Sequence, residues 1–369
     1  MRAMRTALLL AAIPLLALCL EAAPEPPRPP RAIEEGFRPL VTVEVPIEET
    51  SGFAVLPGGT SERVELLVVT DEGPYDPDRQ VVEGALFRVA LHFRPDGTVA
   101  ADAQRAVALR IRIPRADPER PEGESALDLE AVVPVPGAPD LYLLAGERNP
   151  EDAADDGANR LYVVRYPAGD EATAEALALL RVPDLPDDGR NDRFEGVVVL
   201  PGEGAAPDAW RVVAFKERTP GNAAPPPCVA LRLVRDGSSF ALRSLRQDGL
   251  IVAAPLHPEV SLLSSQSDAC LAPDGAVWVL DRWRREAHVA RADAGGTLAV
   301  EAAWDLLGVL RGVEGEVEPG EPAPPGLPGR TGYGRHEAMA FDALGRLYLG
   351  ADRGEGRPSA ITVLVPRAP

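Results

Sequence analysis

The chain alternates between short apolar runs and breaks rich in Gly, Pro and Asp. The stretch from Asn191 to Glu217 shows the plan: two apolar runs, Gly196 to Leu200 and Trp210 to Phe215, flank such a break. An acid, Glu195, precedes the first run, and charged residues follow the second. Runs of this length, bounded by turn residues, are typical of buried β-strands. The pattern predicts a hairpin whose open end carries acids and bases.

The same plan recurs along the chain. The equivalent starting positions, called anchors here, have spacings of 79, 65, 73 and 69 residues and are Ser51, Glu130, Glu195, Asp268 and Glu337. A roughly fixed period with several strands per unit indicates a repeat architecture, and about four strands per unit is typical of a propeller blade. We therefore predict an all-β fold, a β-propeller with five blades, as a single domain over residues 38–369.

Ring closure supports this count. The fifth unit has room for only three strands, the last over Ala360 to Val365, and the N-terminal strand Leu40 to Ile47 can supply the fourth. Such pairing hides two sheet edges. Six blades remain an alternative, with a degenerate blade within Arg232 to Pro255. A pair of β-sandwiches would not explain the recurring acid, and few segments have the apolar period of a helix.

The anchors carry the candidate chemistry. In a propeller the first strand of each blade lines the central channel, so the anchors point several carboxylates at one axis. Because converging carboxylates repel, they require protons or a hard cation, and Ca²⁺ accepts six to eight oxygen ligands. We expect Ca²⁺ at Ser51, Glu130, Glu195, Asp268 and Glu337. The alternative is that these acids accept backbone hydrogen bonds and tie neighbouring blades together.

A second set of charged residues ends the second strand of each unit, beside the anchors. With His336, which precedes an anchor, the candidate ligand-binding residues are Glu147, Arg148, Lys216, Arg218, Asp281, Arg282, Asp352 and Arg353. Bases around a bound cation would suit an anionic ligand such as a phosphate or carboxylate. The alternative is salt bridges between blades. No hydrolase motif is present, so catalytic residues stay unknown.

Composition limits the partners and the compartment. The 369 residues carry a formal charge of −19, which argues against nucleic acid or an anionic membrane surface. Residues 1–22 read as a signal peptide, with Arg2 and Arg5 before an apolar stretch too short for a good membrane span, and residues 23–37 as a Pro-rich linker. We expect export to the periplasm or the exterior, with a lipoprotein anchored at Cys19 as the alternative. Cys228 and Cys270 read as two buried thiols, although export permits a disulfide.

Short motifs carry a family resemblance. The openings Leu129-Glu130-Ala131, Phe194-Glu195-Gly196 and His336-Glu337-Ala338 resemble exported bacterial propellers of the phytase-like type ("esterase-like activity of phytase") and uncharacterised propeller families. One serine and four acids are also similar in layout to calcium-activated nucleotidases. That resemblance implies five blades, a central calcium held by the anchors and hydrolysis of nucleoside di- and triphosphates, and it places Asp281 to Arg285 at a basic segment.

Two functions follow from these expectations. The first is an exported binding module with a structural Ca²⁺, whose partner is a protein or an anionic small molecule. The alternative is a Ca²⁺-dependent phosphohydrolase acting on a phosphate ester, in which the cation polarises a phosphoryl oxygen. Its anion would be held by Arg148, Lys216, Arg282 and Arg353.

Overall fold

The structure is a computed structural model. It describes residues 29–71, 73–76, 78–96, 98–102, 105–111, 126–148, 160–167, 172–182, 194–202, 208–216, 228–244, 266–282, 285–292, 298–310, 336–352 and 357–367. The predicted signal peptide, with Cys19, lies outside these residues. Within the described part of the chain, no helix is long and apolar enough to cross a membrane.

The described residues are almost entirely strands. In chain order these are β1 (Arg31–Ala32), β2 (Phe37–Val45), β3 (Thr50–Val55), β4 (Arg63–Thr70), β5 (Gly73–Asp76), β6 (Val81–Val82), β7 (Leu86–Phe93), β8 (Val99–Ala101), β9 (Arg105–Ala106), β10 (Ala108–Arg110), β11 (Ala126–Val135), β12 (Ala138–Arg148), β13 (Arg160–Arg165), β14 (Thr173–Arg181), β15 (Phe194–Leu200), β16 (Ala209–Lys216), β17 (Cys228–Asp236), β18 (Ser239–Ser244), β19 (Gln266–Leu271), β20 (Val277–Asp281), β21 (Glu286–Ala292), β22 (Leu298–Asp305), β23 (His336–Phe341), β24 (Leu347–Ala351) and β25 (Ser359–Pro366). A 3-10 turn, Ile33–Glu35, follows β1, and one short helix, α1 (Leu307–Leu310), follows β22.

These strands form four open sheets and one closed sheet. Sheet I has the order β3-β4-β7-β8, with β9 beside β7. Sheet II contains β11 to β14 and closes through β10, β6 and β5. Sheet III has the order β15-β16-β17-β18. Sheet IV runs from β19 to β22 with β1 at its outer edge, and sheet V has the order β23-β24-β25-β2.

The first strand of each sheet lies innermost. These five strands contact one another in a cycle, β3 with β11, β11 with β15, β15 with β19, β19 with β23, and β23 again with β3. The all-β chain is therefore arranged like a propeller.

Alternate residues of a strand pack against different neighbouring sheets. In β15, Val197 and Val199 belong to the apolar core between sheets II and III, while Val198 and Leu200 belong to the core between sheets III and IV. Equivalent cores lie between I and II, IV and V, and V and I. Because both faces of these strands are buried, the sequence shows continuous apolar runs instead of an apolar–polar alternation.

Several predicted pairings are present. The two ends of the chain meet as predicted, since β2 pairs antiparallel with β25. The strands between residues 228 and 244, considered for a degenerate blade, are the two outer strands of sheet III. Cys270 is a free, buried thiol, and the side chain of Cys228 lies outside the description.

Two details differ from the sequence-based expectation. The strand predicted from Ala108 leaves sheet I and lies parallel to β14 in sheet II, while β8 supplies the fourth strand of sheet I. Part of the predicted linker is also structured, because β1 pairs with β22 at the outer edge of sheet IV. Arg31 stacks on Trp304 there, with 4.6 Å from the guanidinium carbon to the ring centroid.

Candidate functional site

Each innermost strand contains a β-bulge near its start. One residue is skipped in the pairing with the second strand, and the five skipped residues are Ser51, Glu130, Glu195, Ser267 and Glu337. A bulge re-aims the side chain of the extra residue and is common next to functional sites. Four predicted anchors are therefore bulge residues. In sheet IV, however, the equivalent position is Ser267, one residue before the predicted anchor Asp268.

Asp268 occupies a different environment. Its side chain is fully buried, and its Oδ1 and Oδ2 accept hydrogen bonds from the backbone N–H groups of Ala269 (2.7 Å) and Met339 (2.5 Å). Met339 lies in β23, so this carboxyl links sheets IV and V. Burial raises the pKa of Asp268 well above its ordinary value. Its contacts match the blade-tying alternative given above.

Glycines after two of the bulges explain the recurring Ser-Gly and Glu-Gly pairs. A Cβ on Gly52 would lie 2.8 Å from the backbone oxygen of Glu130, and one on Gly196 would lie 2.9 Å from the carbonyl carbon of Asp268. Both distances are shorter than a normal contact and involve backbone atoms. The missing side chain thus lets the next innermost strand approach closely, which gathers the bulge residues near the axis.

Three carboxylates converge at the junction of sheets I and II. Asp71 directly follows β4, while Asp128 and Glu130 lie in β11, and one oxygen from each lies within 4.8 Å of the others. This group is called the acid cluster below. The hydroxyl of Ser51 donates a hydrogen bond to Oδ1 of Asp71. The cluster and the hydroxyl beside it thus combine two predicted anchors, Ser51 and Glu130, with two further acids.

The electrostatics of the acid cluster are unusual. Burial, followed by the charges of Glu337, Asp128, Glu49 and Asp352, raises the pKa of Asp71 to about 9. Unless a positive charge lies beside it, the Asp71 carboxyl therefore holds a proton at neutral pH. The same effect places two more predicted residues, Glu337 and Asp352, within electrostatic reach of the cluster.

Of the bases predicted to hold an anion, only Arg282 has a described side chain, and it contacts an acid. Arg282 of sheet IV forms an ion pair with Glu337 of sheet V, with 2.6 Å between Nη1 and Oε1. This is the interblade salt bridge of the alternative interpretation. Lys216 lies in β16 opposite Phe194, and Arg148 in β12 opposite Asp128 with Glu147 before it, but these three side chains are not described. Arg218 and Arg353 lie outside the described residues.

Two other predicted ligand-binding residues are buried. Asp281 is completely buried, and its Oδ2 lies 4.0 Å from Nε2 of His288, whose Nε2 is also 3.5 Å from Oε2 of Glu286. His336 is buried at the start of β23, and its backbone oxygen accepts a hydrogen bond from Ser267 (3.0 Å). Both side chains are therefore packed in the protein interior, Asp281 at the end of β20 and His336 at the start of β23.

The acid cluster includes two residues that the metal-site prediction omitted. That prediction took one residue from each repeat, so Asp128, two positions before Glu130, was not counted. Asp71 ends the second strand of the first unit, but the sequence does not show which residue lies next to it across the sheet junction. Of the predicted anchors, the structure brings Ser51 and Glu130 to the cluster and Glu337 near it. Glu195 is buried in the bulge of β15 and is not part of the group.

The donor set suits a hard cation. Three carboxylates and a hydroxyl are all oxygen ligands, which Ca²⁺ and Mg²⁺ prefer. Ca²⁺ tolerates irregular geometry and completes its shell with water or backbone oxygens, whereas Mg²⁺ demands a near-octahedral arrangement. An irregular group at a bulge therefore favours Ca²⁺.

No family model matches the chain, and no curated protein matches it. Among solved structures, it is similar to the soluble aldose sugar dehydrogenase of Escherichia coli, with 10% identity over 89% of this chain and 99% of that chain, and a TM-score of 0.40. It is similar to a gluconolactonase from Xanthomonas campestris, with 14% identity over 92% and 95% and a TM-score of 0.38. It is also similar to the calcium-binding protein regucalcin from Agrobacterium tumefaciens, with 11% identity over 90% and 94% and a TM-score of 0.30. The phytase-like resemblance stays a prediction.

Proposed function

We propose that this chain is a five-bladed β-propeller binding module that holds one Ca²⁺ at the acidic end of its channel. The acid cluster of Asp71, Asp128 and Glu130 is the observation that carries the proposal. Ser51 and neighbouring oxygens would complete the coordination. In this role the cation fixes the junction of sheets I and II, and the propeller face around it binds a protein or an anionic small molecule after export.

The ring of five innermost strands supports the blade count. Every core between sheets contains residues of two successive sheets, and the core between V and I completes the cycle. The extra strands β5, β6 and β10 close sheet II and add no innermost strand. The closed sheet is then one blade with an accessory hairpin.

The energetics of the acid cluster support a bound cation. Two like charges about 4 Å apart in a protein repel by about 4 kcal/mol at an effective dielectric constant of about 20. Ionised carboxylates this close together repel one another, and a cation between them would turn that repulsion into attraction. The raised pKa of Asp71 shows how strongly this position disfavours an uncompensated charge.

The surroundings of the bases favour binding over catalysis. Arg282, which the phosphohydrolase alternative needs for the substrate anion, is engaged by Glu337. No described observation favours the enzyme specifically. The phosphohydrolase therefore stays a prediction, to be checked with phosphatase and nucleotidase substrates.

Thermal unfolding with and without chelator tests the cation site. We expect EDTA to lower the Tm of the wild type, and Ca²⁺ to restore it more effectively than Mg²⁺. Glu130→Gln should abolish the Ca²⁺ response. Glu301→Gln is the matched control, because Glu301 forms only an exposed pair with Arg291 and should keep the response. An unchanged Tm with chelator would remove the Ca²⁺ proposal.

A further inference from the structure

A cavity lies at the end of the channel opposite the acid cluster. Its volume is about 160 Å³, and all five innermost strands contribute to its lining. In each strand, the residue four positions after the bulge residue lines the cavity: Val55, Pro134, Val199, Leu271 and Phe341. Four residues of a strand span about 13 Å, so the cavity is separate from the acid cluster.

The side chains that line the cavity are all apolar, and the greater part of its surface is apolar. The lining consists only of Phe, Val, Ala, Leu, Pro and Cys side chains, in a chain in which 26% of the residues are charged. Burial, followed by the charge of Asp268, raises the pKa of the Cys270 thiol, so this group is neutral. A buried water needs two to four polar partners, and apart from the Cys270 thiol only backbone groups can supply them here. The cavity therefore favours an apolar occupant over water.

The rim of the cavity borders solvent, and contacts between sheets hold its walls in position. Pro134, at the rim, is exposed to solvent, so the cavity borders the protein surface. The backbone oxygen of Pro136, also at the rim, accepts a hydrogen bond of 2.8 Å from Nε1 of Trp210 in sheet III. At the other side, Phe341 packs edge-on against Trp278, with 5.1 Å between ring centroids. The walls are thus formed before any ligand binds.

We propose that this cavity is a binding site for one small neutral apolar molecule, of the size of a single aromatic ring. The volume sets the size, since an engineered protein cavity of about 150 Å³ lined by Leu, Ile and Phe binds benzene. The absence of charged or hydrogen-bonding side chains from the lining sets the chemical class. The site is independent of the proposed Ca²⁺.

The test uses benzene and toluene with the full chain in EDTA, so that the cation site does not contribute. Methyl NMR should show saturable shifts at the lining Val and Leu residues, with a Kd in the millimolar range or tighter. Benzoate, with the same ring and a negative charge, should bind at least tenfold more weakly. Shifts that do not saturate, or that spread over other cores, would overturn the proposal.

A plugging variant adds a second measurement. Val55→Phe places a larger ring at the partly exposed rim and should weaken benzene binding at least tenfold. Val43→Phe is the matched control, because Val43 is also partly exposed but lies in β2, at the outer edge of sheet V, and does not line the cavity. Equal benzene affinity in the two variants would contradict the assignment, and if Val55→Phe does not fold, the wild-type shifts decide.

Discussion

Arg282 in sheet IV donates a hydrogen bond to Glu337 in sheet V, with 2.6 Å between Nη1 and Oε1. Arg282 directly follows the second strand of its sheet, and Glu337 is the bulge residue of the next sheet. Asp71 and Glu130 hold the same two positions at the junction of sheets I and II. There an acid meets an acid. Under the proposed function, a cation would take at this junction the place that Arg282 takes beside Glu337.

The Arg282–Glu337 pair should contribute substantially to stability. Its side chains are 11% and 16% exposed, so Arg282→Gln leaves a largely buried carboxylate without its base. We expect a loss of about 1–3 kcal/mol in the free energy of unfolding. Urea unfolding measures it. Arg291→Gln breaks exposed pairs with Asp274 and Glu301 and should cost less than about 1 kcal/mol. Equal losses would argue against the interblade role.

A base at Asp71 should replace the cation. Asp71→Arg copies the arrangement of Arg282 and Glu337 at the junction of sheets I and II. We expect a higher Tm than the wild type in EDTA and no further rise with Ca²⁺. The measurement is thermal unfolding under both conditions. A variant that still requires Ca²⁺ for its full Tm would show that the ion binds elsewhere.

Stability in the absence of the cation should fall as pH rises. The pKa of Asp71 is raised from 3.8 to about 9, so between these values the folded state holds a proton that the unfolded state has lost. The stabilisation is fully present below about pH 4 and is lost towards pH 9, with a slope of at most about 1.4 kcal/mol per pH unit. Urea unfolding between pH 5.5 and 8.5 in metal-free buffer measures the slope. Asp71→Asn should flatten it, and identical slopes in variant and wild type would contradict this account.

Asp268 should be important for stability and unimportant for the cation. Asp268→Asn retains one acceptor oxygen but turns an amide towards one of the two backbone N–H donors, Ala269 and Met339. We expect a loss of about 2 kcal/mol in the free energy of unfolding, because a buried donor loses its partner. The rise in Tm on adding Ca²⁺ should match that of the wild type. Loss of the Ca²⁺ response in a folded variant would return Asp268 to the metal site.

The sequence predicted the repeated plan well, for a physical reason. Each innermost strand is buried on both faces and begins at a bulge, so every unit has an apolar run behind a polar residue. The exact register was harder, because Ser267 and Asp268 both fit the pattern and only strand pairing distinguishes them. Asp71 and Asp128 were not predicted as metal ligands, since their proximity depends on contact between two sheets. The cavity opposite was missed because apolar residues four positions after each bulge look like ordinary core.

Titration of Ca²⁺ into metal-free protein, followed by isothermal calorimetry, measures the proposed cation site itself. We expect one site per chain in the wild type, its loss in Asp128→Asn and in Glu130→Gln, and its retention in Glu301→Gln and Asp268→Asn. Absence of saturable Ca²⁺ binding to the folded wild type, or unchanged binding in both cluster variants, would contradict a cation at the junction of sheets I and II.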